Sequence, residues 1–314
     1  MAKIAVVQQA PVLLDREATL QKAVCALLEA AAEGAQVVVF PEAFIPGYPV
    51  WIWGLRPGAD MGLTSELHSL LAENAVSLDR DDLAPLRQAA KEHGVTVVCG
   101  MDEIDHRSSR TTLYNSVVMI GPDGELLNHH RKVMPTNAER MIWGFGDGRG
   151  LNVVDGPCGR MGALICWENL MPQARLSLYA QGIDLYIAPT FDDGDTWITS
   201  MRHIACEGRC WVVGSGFALN SNDIPDNLPG KEVLFPDSNA WINPGDSVVV
   251  APGGEIVAGP LHGEYGILYA DIDSARVKTS RRALDVAGHY ARPDIFQLKV
   301  NRNPQDPVAF DPPK

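Results

Sequence analysis

The chain has 314 residues, of which 46% are apolar and 21% charged, a composition typical of a globular protein with an ample core. Its formal net charge of -13 argues against nucleic acid or an anionic membrane as a partner. No run approaches the roughly 20 apolar residues that a membrane helix needs, and the N-terminus does not read as a secretion signal. We therefore expect a cytoplasmic protein with reduced cysteines.

Four segments of the chain join a helical pattern to a strand-like run through a glycine. In the first, Leu20, Ala23 and Leu27 recur on one helical face, and Gly34 suits the left-handed turn that ends a helix. The strand-like runs are continuously apolar, which favours sheets that are covered on both faces. The four helix–glycine–strand units span residues 15–42, 81–100, 172–190 and 198–216.

Hairpin signals lie between these units, because Gly/Pro turns at residues 121–124 and 251–254 each separate two β-rich runs. Parallel winding does not explain hairpins, so we predict an α/β fold with mixed sheets packed together and helices outside. Residues 221–246 are rich in Pro, Asn and Asp and predict an irregular surface loop near the mouth of a site. No linker is visible, so residues 1–314 are expected to form a single domain, with a C-terminal extension from about residue 285.

The segment GALICWENLMP contains the first candidate for chemistry, Cys166. A free cysteine is usually a small, buried and inert hydrophobe. Here, however, the cysteine ends a predicted strand, and Pro172 is placed to open the next helix. A thiol between a strand end and a helix start lies where backbone N–H groups can face an oxyanion. A catalytic nucleophile in that position still needs a base or a nearby cation.

Glu42 and Lys132 are candidates for those two roles. Glu42 follows the run VVVFP and is surrounded in sequence by aromatic residues, which would raise its pKa and make it a usable base. Lys132 ends the second strand of the first hairpin, where an inward-pointing ammonium would be a fixed cation for developing negative charge. The simpler interpretation of each is an exposed charge at a loop.

The segments FPEAFIPGYP, HRKVMPTNAER and ICWEN together resemble the signature segments of the nitrilase (carbon–nitrogen hydrolase) superfamily. The family's catalytic Glu, Lys and Cys fall on Glu42, Lys132 and Cys166, and a further glutamate falls on Glu139. The tryptophan after the cysteine and the phrase AERMIWGFGDG resemble the true nitrilase branch. The resemblance implies a four-layer α-β-β-α sandwich with two mixed sheets, and a homodimer or higher homo-oligomer.

The expected function is the hydrolysis of an organic nitrile to its carboxylic acid and ammonia, through a covalent thioimidate and thioester on Cys166. In this scheme Glu42 moves protons, while Lys132 and the backbone N–H of Trp167 hold negative charge. Glu139 either positions Lys132, assists proton transfer or forms a structural salt bridge. The alternatives are an amidase, a cyanide dihydratase, a zinc-dependent hydrolase and a non-catalytic interaction protein on the same fold.

The pocket is expected to involve aromatic residues near the catalytic positions, although each could equally belong to an ordinary core. An aromatic-rich pocket favours a nitrile with some apolar bulk over cyanide itself. The candidates for substrate contacts are Trp167, Tyr48, Trp143, Thr190 and Phe191.

No metal or organic cofactor is expected. His129 and His130 are adjacent in a strand and face opposite ways, so they cannot easily share an ion. The spacing of His203, Cys206 and Cys210 would place them on roughly one face, but a packed helix followed by a strand explains it better. Among the other cysteines, Cys25 and Cys99 are predicted to be buried and Cys158 to be exposed in a turn.

Overall fold

The computed structural model describes residues 1–106, 110–304 and 308. Its strands are β1 (Ala2–Gln8), β2 (Val37–Val39), β3 (Thr96–Ile104), β4 (Leu113–Ile120), β5 (Leu126–Arg131), β6 (Val154–Gly156), β7 (Gly159–Ala163), β8 (Leu185–Thr190), β9 (Trp211–Gly216), β10 (Ala218–Asn220), β11 (Trp241–Val250), β12 (Ile256–His262) and β13 (Gly266–Ile272). Its α-helices are α1 (Arg16–Ala32), α2 (Met61–Asn74), α3 (Ala84–His93), α4 (Pro172–Tyr179), α5 (Gly194–Gly208), α6 (Lys231–Leu234) and α7 (Ala275–Arg281).

The strands form two mixed sheets. The first has the order β13-β1-β2-β3-β4-β5, with β1, β2 and β3 parallel to one another. The second has the order β10-β11-β9-β8-β7-β6, with β7, β8 and β9 parallel and β12 paired to β11. The antiparallel pairs β4–β5 and β11–β12 confirm both predicted hairpins.

The alternation of side chains along the strands explains how the sheets pack. In β8, Leu185 and Ile187 point into a core shared with the first sheet, while Tyr186 and Ala188 point to the opposite face. The shared core also receives Ile4, Val6, Val37 and Val39 from β1 and β2. Two apolar faces are therefore buried against each other at the centre of the molecule.

Helices cover the outer face of each sheet. Apolar residues of α1 and α3 pack on the first sheet, and those of α4 and α5 pack on the second. The predicted four-layer α-β-β-α arrangement is confirmed. Within the described residues, no helix is both long enough and apolar enough to cross a bilayer.

Several local predictions were wrong. In the fourth helix–glycine–strand unit the glycine is Gly208, and it does not end α5 in a left-handed turn; Arg209 does, with a φ of 48°. Cys25 is exposed and Cys158 is buried, the reverse of what was expected, whereas Cys99 is buried as predicted. The loop predicted for residues 221–246 is shorter, because β11 begins at Trp241.

Gly208 has a packing role instead. A Cβ at this position would lie 2.5 Å from Cε1 of the Tyr179 ring, which holds α5 close to α4. We expect Gly208→Ala to lower the free energy of unfolding by about 1–3 kcal/mol through overpacking. Gly62, near the start of α2, has open space at its Cβ, so Gly62→Ala should be neutral or stabilising by up to about 1 kcal/mol. Urea unfolding of both variants checks this, and equal effects would contradict it.

Candidate active site

Glu42 lies in the loop that leaves the carboxyl end of β2 and is fully buried. The loop crosses directly over Gly100 of β3, where a Cβ would lie 2.2 Å from the carbonyl oxygen of Pro41. Gly100 therefore allows the backbone of Glu42 to lie flat on the sheet. The carboxylate accepts hydrogen bonds from Asn115 Nδ2 at 2.6 Å and from the backbone N–H of Phe191 at 2.6 Å.

Lys132 follows the last residue of β5, and its backbone N–H still donates to the Asn115 carbonyl of β4 at 2.8 Å. This pairing keeps the lysine in the strand geometry, with its side chain buried. Its ammonium lies 2.7 Å from Glu42 Oε1 and 2.8 Å from Glu139 Oε2. The structure therefore brings Glu42, Lys132 and Glu139 together around one buried cation.

Glu139 is placed by a short 3-10 helix, Asn137–Met141. Its Oε2 accepts from the Thr136 backbone N–H at 2.6 Å, and its Oε1 accepts from the Tyr48 hydroxyl at 2.8 Å. Together with the Lys132 ammonium, these donors satisfy the buried carboxylate.

Cys166 follows β7 by three residues and begins a 3-10 helix, Cys166–Leu170. Its φ of 51° is unusual for a residue other than glycine and costs about 1–2 kcal/mol. The helix α4 does begin at Pro172, but the 3-10 helix separates it from the thiol. The thiol does lie between a strand end and a helix start, as predicted, but a residue with strained backbone at the start of the 3-10 helix presents it, not the first turn of α4.

Glu168 connects the segment that carries Cys166 with the segment that carries Lys132, a role that was not predicted from the sequence. Its carboxylate accepts from the backbone N–H of Ile165 and from that of Val133, each at 2.7 Å. These two residues are the neighbours of Cys166 and Lys132 in the chain. The ring of His130 lies 3.0 Å from the same carboxylate, and both side chains are fully buried. The sequence shows Glu168 as the acid in the segment ICWEN, but only the fold shows which groups it binds.

Burial and charge together shift the pKa values of the clustered groups. Burial raises the pKa of Glu42, an effect that the Lys132 cation opposes and the charge of Glu139 reinforces. Burial alone would lower the pKa of Lys132, but attraction to Glu42, Cys166 and Glu139 raises it overall. Burial also raises the pKa of Cys166, and repulsion from Glu42 adds to this. The resting site thus holds a protonated thiol beside a charged lysine.

A cavity of about 320 Å³ opens above Cys166. Its walls are mainly aromatic and apolar, and the carboxylate of Glu139 reaches its floor. Ile242 and Asn243 border it from β11, within the segment expected near the mouth of the site. The larger side chains that line it are Tyr48, Trp53, Trp167 and Phe191.

The predicted pocket residues divide into two groups. Tyr48 and Phe191 border the cavity with their rings stacked at 3.8 Å, and Trp167 borders it while 49% exposed. Trp143 lies behind Tyr48 in an edge contact of 5.4 Å, with its indole N–H donating to Asp102 Oδ1 at 2.7 Å. Thr190 is also buried, and its side chain interacts with the Cys166 thiol. Neither Trp143 nor Thr190 is among the described residues that border the cavity.

The candidate metal ligands are not brought together. His129 contacts Glu103 at 2.7 Å, whereas His130 contacts Glu168, so the two rings face different partners. The Cys206 thiol donates to the carbonyl of Gly253 at 3.0 Å. In the part of the chain that the structure describes, no three His, Cys, Asp or Glu side chains form a metal-binding group.

The fold is shared with proteins of known structure. Nit3 of Saccharomyces cerevisiae, described as a member of branch 10 of the nitrilase superfamily, has 22% identity and a TM-score of 0.67, over 92% of this chain and 96% of that one. This likeness shows the fold.

Sequence similarity is stronger. The chain is 43% identical to an aliphatic nitrilase of Sinorhizobium fredii (strain HH103) over 98% of each protein. It is 39% identical to Nitrilase 2 of Arabidopsis thaliana, over 99% of this chain and 91% of that protein. The carbon–nitrogen hydrolase family model matches residues 3–282, which include the buried cluster and the cysteine turn. The chain therefore belongs to the carbon–nitrogen hydrolase family.

Proposed function

We propose that this protein is a nitrilase, which converts an organic nitrile and two molecules of water into a carboxylic acid and ammonia. The observation that carries the proposal is a cavity bordered by Cys166, with the Glu42–Lys132 ion pair buried close enough to act electrostatically on the thiol. Proteins named as nitrilases at about 40% identity over nearly the whole chain support the choice of a nitrile as substrate.

In the first step, the Cys166 sulfur attacks the nitrile carbon. The raised pKa of the thiol means that its proton must be removed during the attack, and Glu42 is the acceptor. Glu42 then delivers that proton to the nitrile nitrogen, which gives a covalent thioimidate. The negative charge that develops on nitrogen is stabilised by the Lys132 ammonium and by the backbone N–H of Trp167.

In the second step, Glu42 takes a proton from a water molecule as its oxygen adds to the thioimidate carbon, and passes that proton to the nitrogen. The proton of the new hydroxyl group then also moves to the nitrogen, which makes ammonia the leaving group. The tetrahedral intermediate expels ammonia and leaves a thioester on Cys166. A second water releases the carboxylic acid and restores the thiol. Glu139 holds Lys132 in place, because its carboxylate is itself fixed by Tyr48 and Thr136. If the intermediate expelled the thiol instead of ammonia, the product would be the amide.

The cavity favours a nitrile with an apolar group over cyanide itself. A volume of about 320 Å³ greatly exceeds that of cyanide, and aromatic rings form much of the wall. A second cavity of about 450 Å³ shares Trp53, Phe191 and Ile242 with the first. Ammonia release from a panel of nitriles, their amides and cyanide separates nitrilase, amidase and cyanide dihydratase activities. Release from none of them would contradict the proposal.

The role of Cys166 can be tested against a matched cysteine. We expect Cys166→Ala to abolish ammonia release from nitriles, because no sulfur remains to form the thioimidate. Cys25 lies on the exposed side of α1, far along the chain from the cluster, and Cys25→Ala should keep wild-type activity. Mass spectrometry of the quenched wild-type reaction should find the acyl group on the Cys166 peptide. Activity retained in Cys166→Ala would overturn the mechanism.

The role of Glu42 predicts a pH dependence. The carboxylate must be ionised to accept the thiol proton, and burial raises its pKa above the ordinary value of 4.5. Activity should therefore be present at neutral pH and fall as the pH decreases, with the midpoint of the fall above 4.5. The measurement is kcat/KM for a neutral nitrile across pH, with circular dichroism to confirm that the protein stays folded. A midpoint at or below 4.5 would count against Glu42 as the base.

We also propose that the protein forms a homodimer or a larger homo-oligomer. Tyr290, Ile295 and Phe296 are exposed in the C-terminal segment, and Tyr290 and Phe296 border a cavity of about 450 Å³ together with Leu176 of α4. Light scattering should give a mass at least twice 34.1 kDa. We expect Phe296→Asp to lower that mass, whereas Val233→Asp, on the exposed face of α6, should not. A wild-type mass of 34.1 kDa at micromolar concentration would refute self-association.

A further inference from the structure

The cavity above Cys166 has an uneven distribution of charge. Glu139, Asp192 and Asp193 border it, and no lysine, arginine or histidine is among the described residues that do so. The Lys132 ammonium lies beneath the cavity and is already shared between Glu42 and Glu139. Asp192 and Asp193 therefore add negative charge that the catalytic lysine does not offset.

Asp192 is held by neutral donors. Its Oδ2 accepts from the indole N–H of Trp167 at 2.8 Å, and its Oδ1 accepts from the backbone N–H of Asp193 at 3.1 Å. Its own backbone N–H donates to Thr190 Oγ1 at 2.8 Å. These bonds fix the carboxylate at the edge of the cavity without cancelling its charge.

Asp193 lies at the start of α5, where the helix dipole contributes only roughly half a positive charge. The first helical N–H, that of Gly194, donates to another carboxylate, Asp246 Oδ2, at 2.8 Å. Asp246 also contacts the largely exposed ring of His262 at 2.8 Å. Within the described residues, no lysine or arginine forms an ion pair with Asp192, Asp193 or Asp246. The edge of the cavity that Asp192 and Asp193 form therefore remains negatively charged.

We propose that Asp192 and Asp193 select substrates by charge: the site accepts neutral nitriles and those that carry an ammonium group, and discriminates against nitriles that carry a carboxylate. The inference rests on the proposed nitrilase function. The same repulsion favours departure of the product, because hydrolysis of the thioester turns a neutral acyl group into a carboxylate inside this cavity.

The test compares three probes of matched length: hexanenitrile, 5-aminopentanenitrile and 4-cyanobutanoate. An aromatic set, 4-methylbenzonitrile, 4-(aminomethyl)benzonitrile and 4-cyanobenzoate, covers a different pocket shape. The measured quantity is kcat/KM for ammonia release. In at least one set, the wild-type enzyme should hydrolyse the neutral and cationic members about tenfold or more faster than the anionic one, and added salt should narrow the gap.

The variant to test first is Asp193→Asn, because the Asp192 carboxylate accepts two hydrogen bonds that an amide cannot fully replace. The ratio of kcat/KM for the anionic probe to that for the neutral probe should rise by about tenfold. Asp195→Asn is the matched control, since Asp195 lies in the same helical turn but is exposed and does not border the cavity. Its ratio should equal that of the wild type.

The outcomes separate this inference from the proposed function. If the wild-type enzyme hydrolyses nitriles but shows no gap between the neutral and anionic members in either set, the charge selection is wrong and the nitrilase function stands. If Asp193→Asn and Asp195→Asn change the ratio equally, Asp193 has no special role and the inference fails. If neither neutral probe nor any other nitrile releases ammonia, the proposed function fails, and the inference fails with it.

Discussion

The buried ammonium of Lys132, held between two carboxylates, is the interaction on which the rest of the site depends. Removing such ions from water costs several kcal/mol each, which only close pairing and further hydrogen bonds can offset. The structure supplies those bonds from four donors: Asn115, Tyr48, Thr136 and the Phe191 backbone. Each donor comes from a different part of the chain, so the cluster holds together the loops that form the cavity.

The fold explains why these groups meet. Glu42, Lys132, Cys166 and Phe191 follow the carboxyl ends of β2, β5, β7 and β8 respectively, at one end of the two packed sheets. The first two strands belong to one sheet and the last two to the other. The apolar core between the sheets thus sets the separation between the Cys166 thiol and the Glu42–Lys132 pair. Glu168 fixes that distance locally, through backbone N–H groups next to Cys166 and Lys132.

Patterns with a short physical range could be predicted from the sequence. Both hairpins and the strands of the four helix–strand units are present, because turn residues and apolar runs act over a few positions. The expected meeting of Glu42, Lys132 and Cys166 rested on resemblance to a family, not on periodicity. The structure pairs Lys132 with Glu42 at 2.7 Å, and both groups act electrostatically on the Cys166 thiol. Exposure to solvent was harder to predict. Cys25 was expected to be buried and is exposed, and Cys158 was expected to be exposed and is buried. A helical stripe or a turn in the sequence does not show which other segment packs against it.

The sequence by itself determined the elements of the fold and the chemical groups at the ends of its strands, because local conformation and residue type are properties of short segments. Tertiary structure decided which of these groups touch. It placed Trp143 behind Tyr48 and put Asp192 and Asp193 at the border of the cavity that Cys166 also lines. It also allowed the Glu168 carboxylate to accept hydrogen bonds from the backbone on both sides of the site, at Ile165 and Val133. It also placed Gly208 against Tyr179 and gave the left-handed turn to Arg209. These relations join residues far apart in the chain, and only the packing of two sheets and their helices determines such distances.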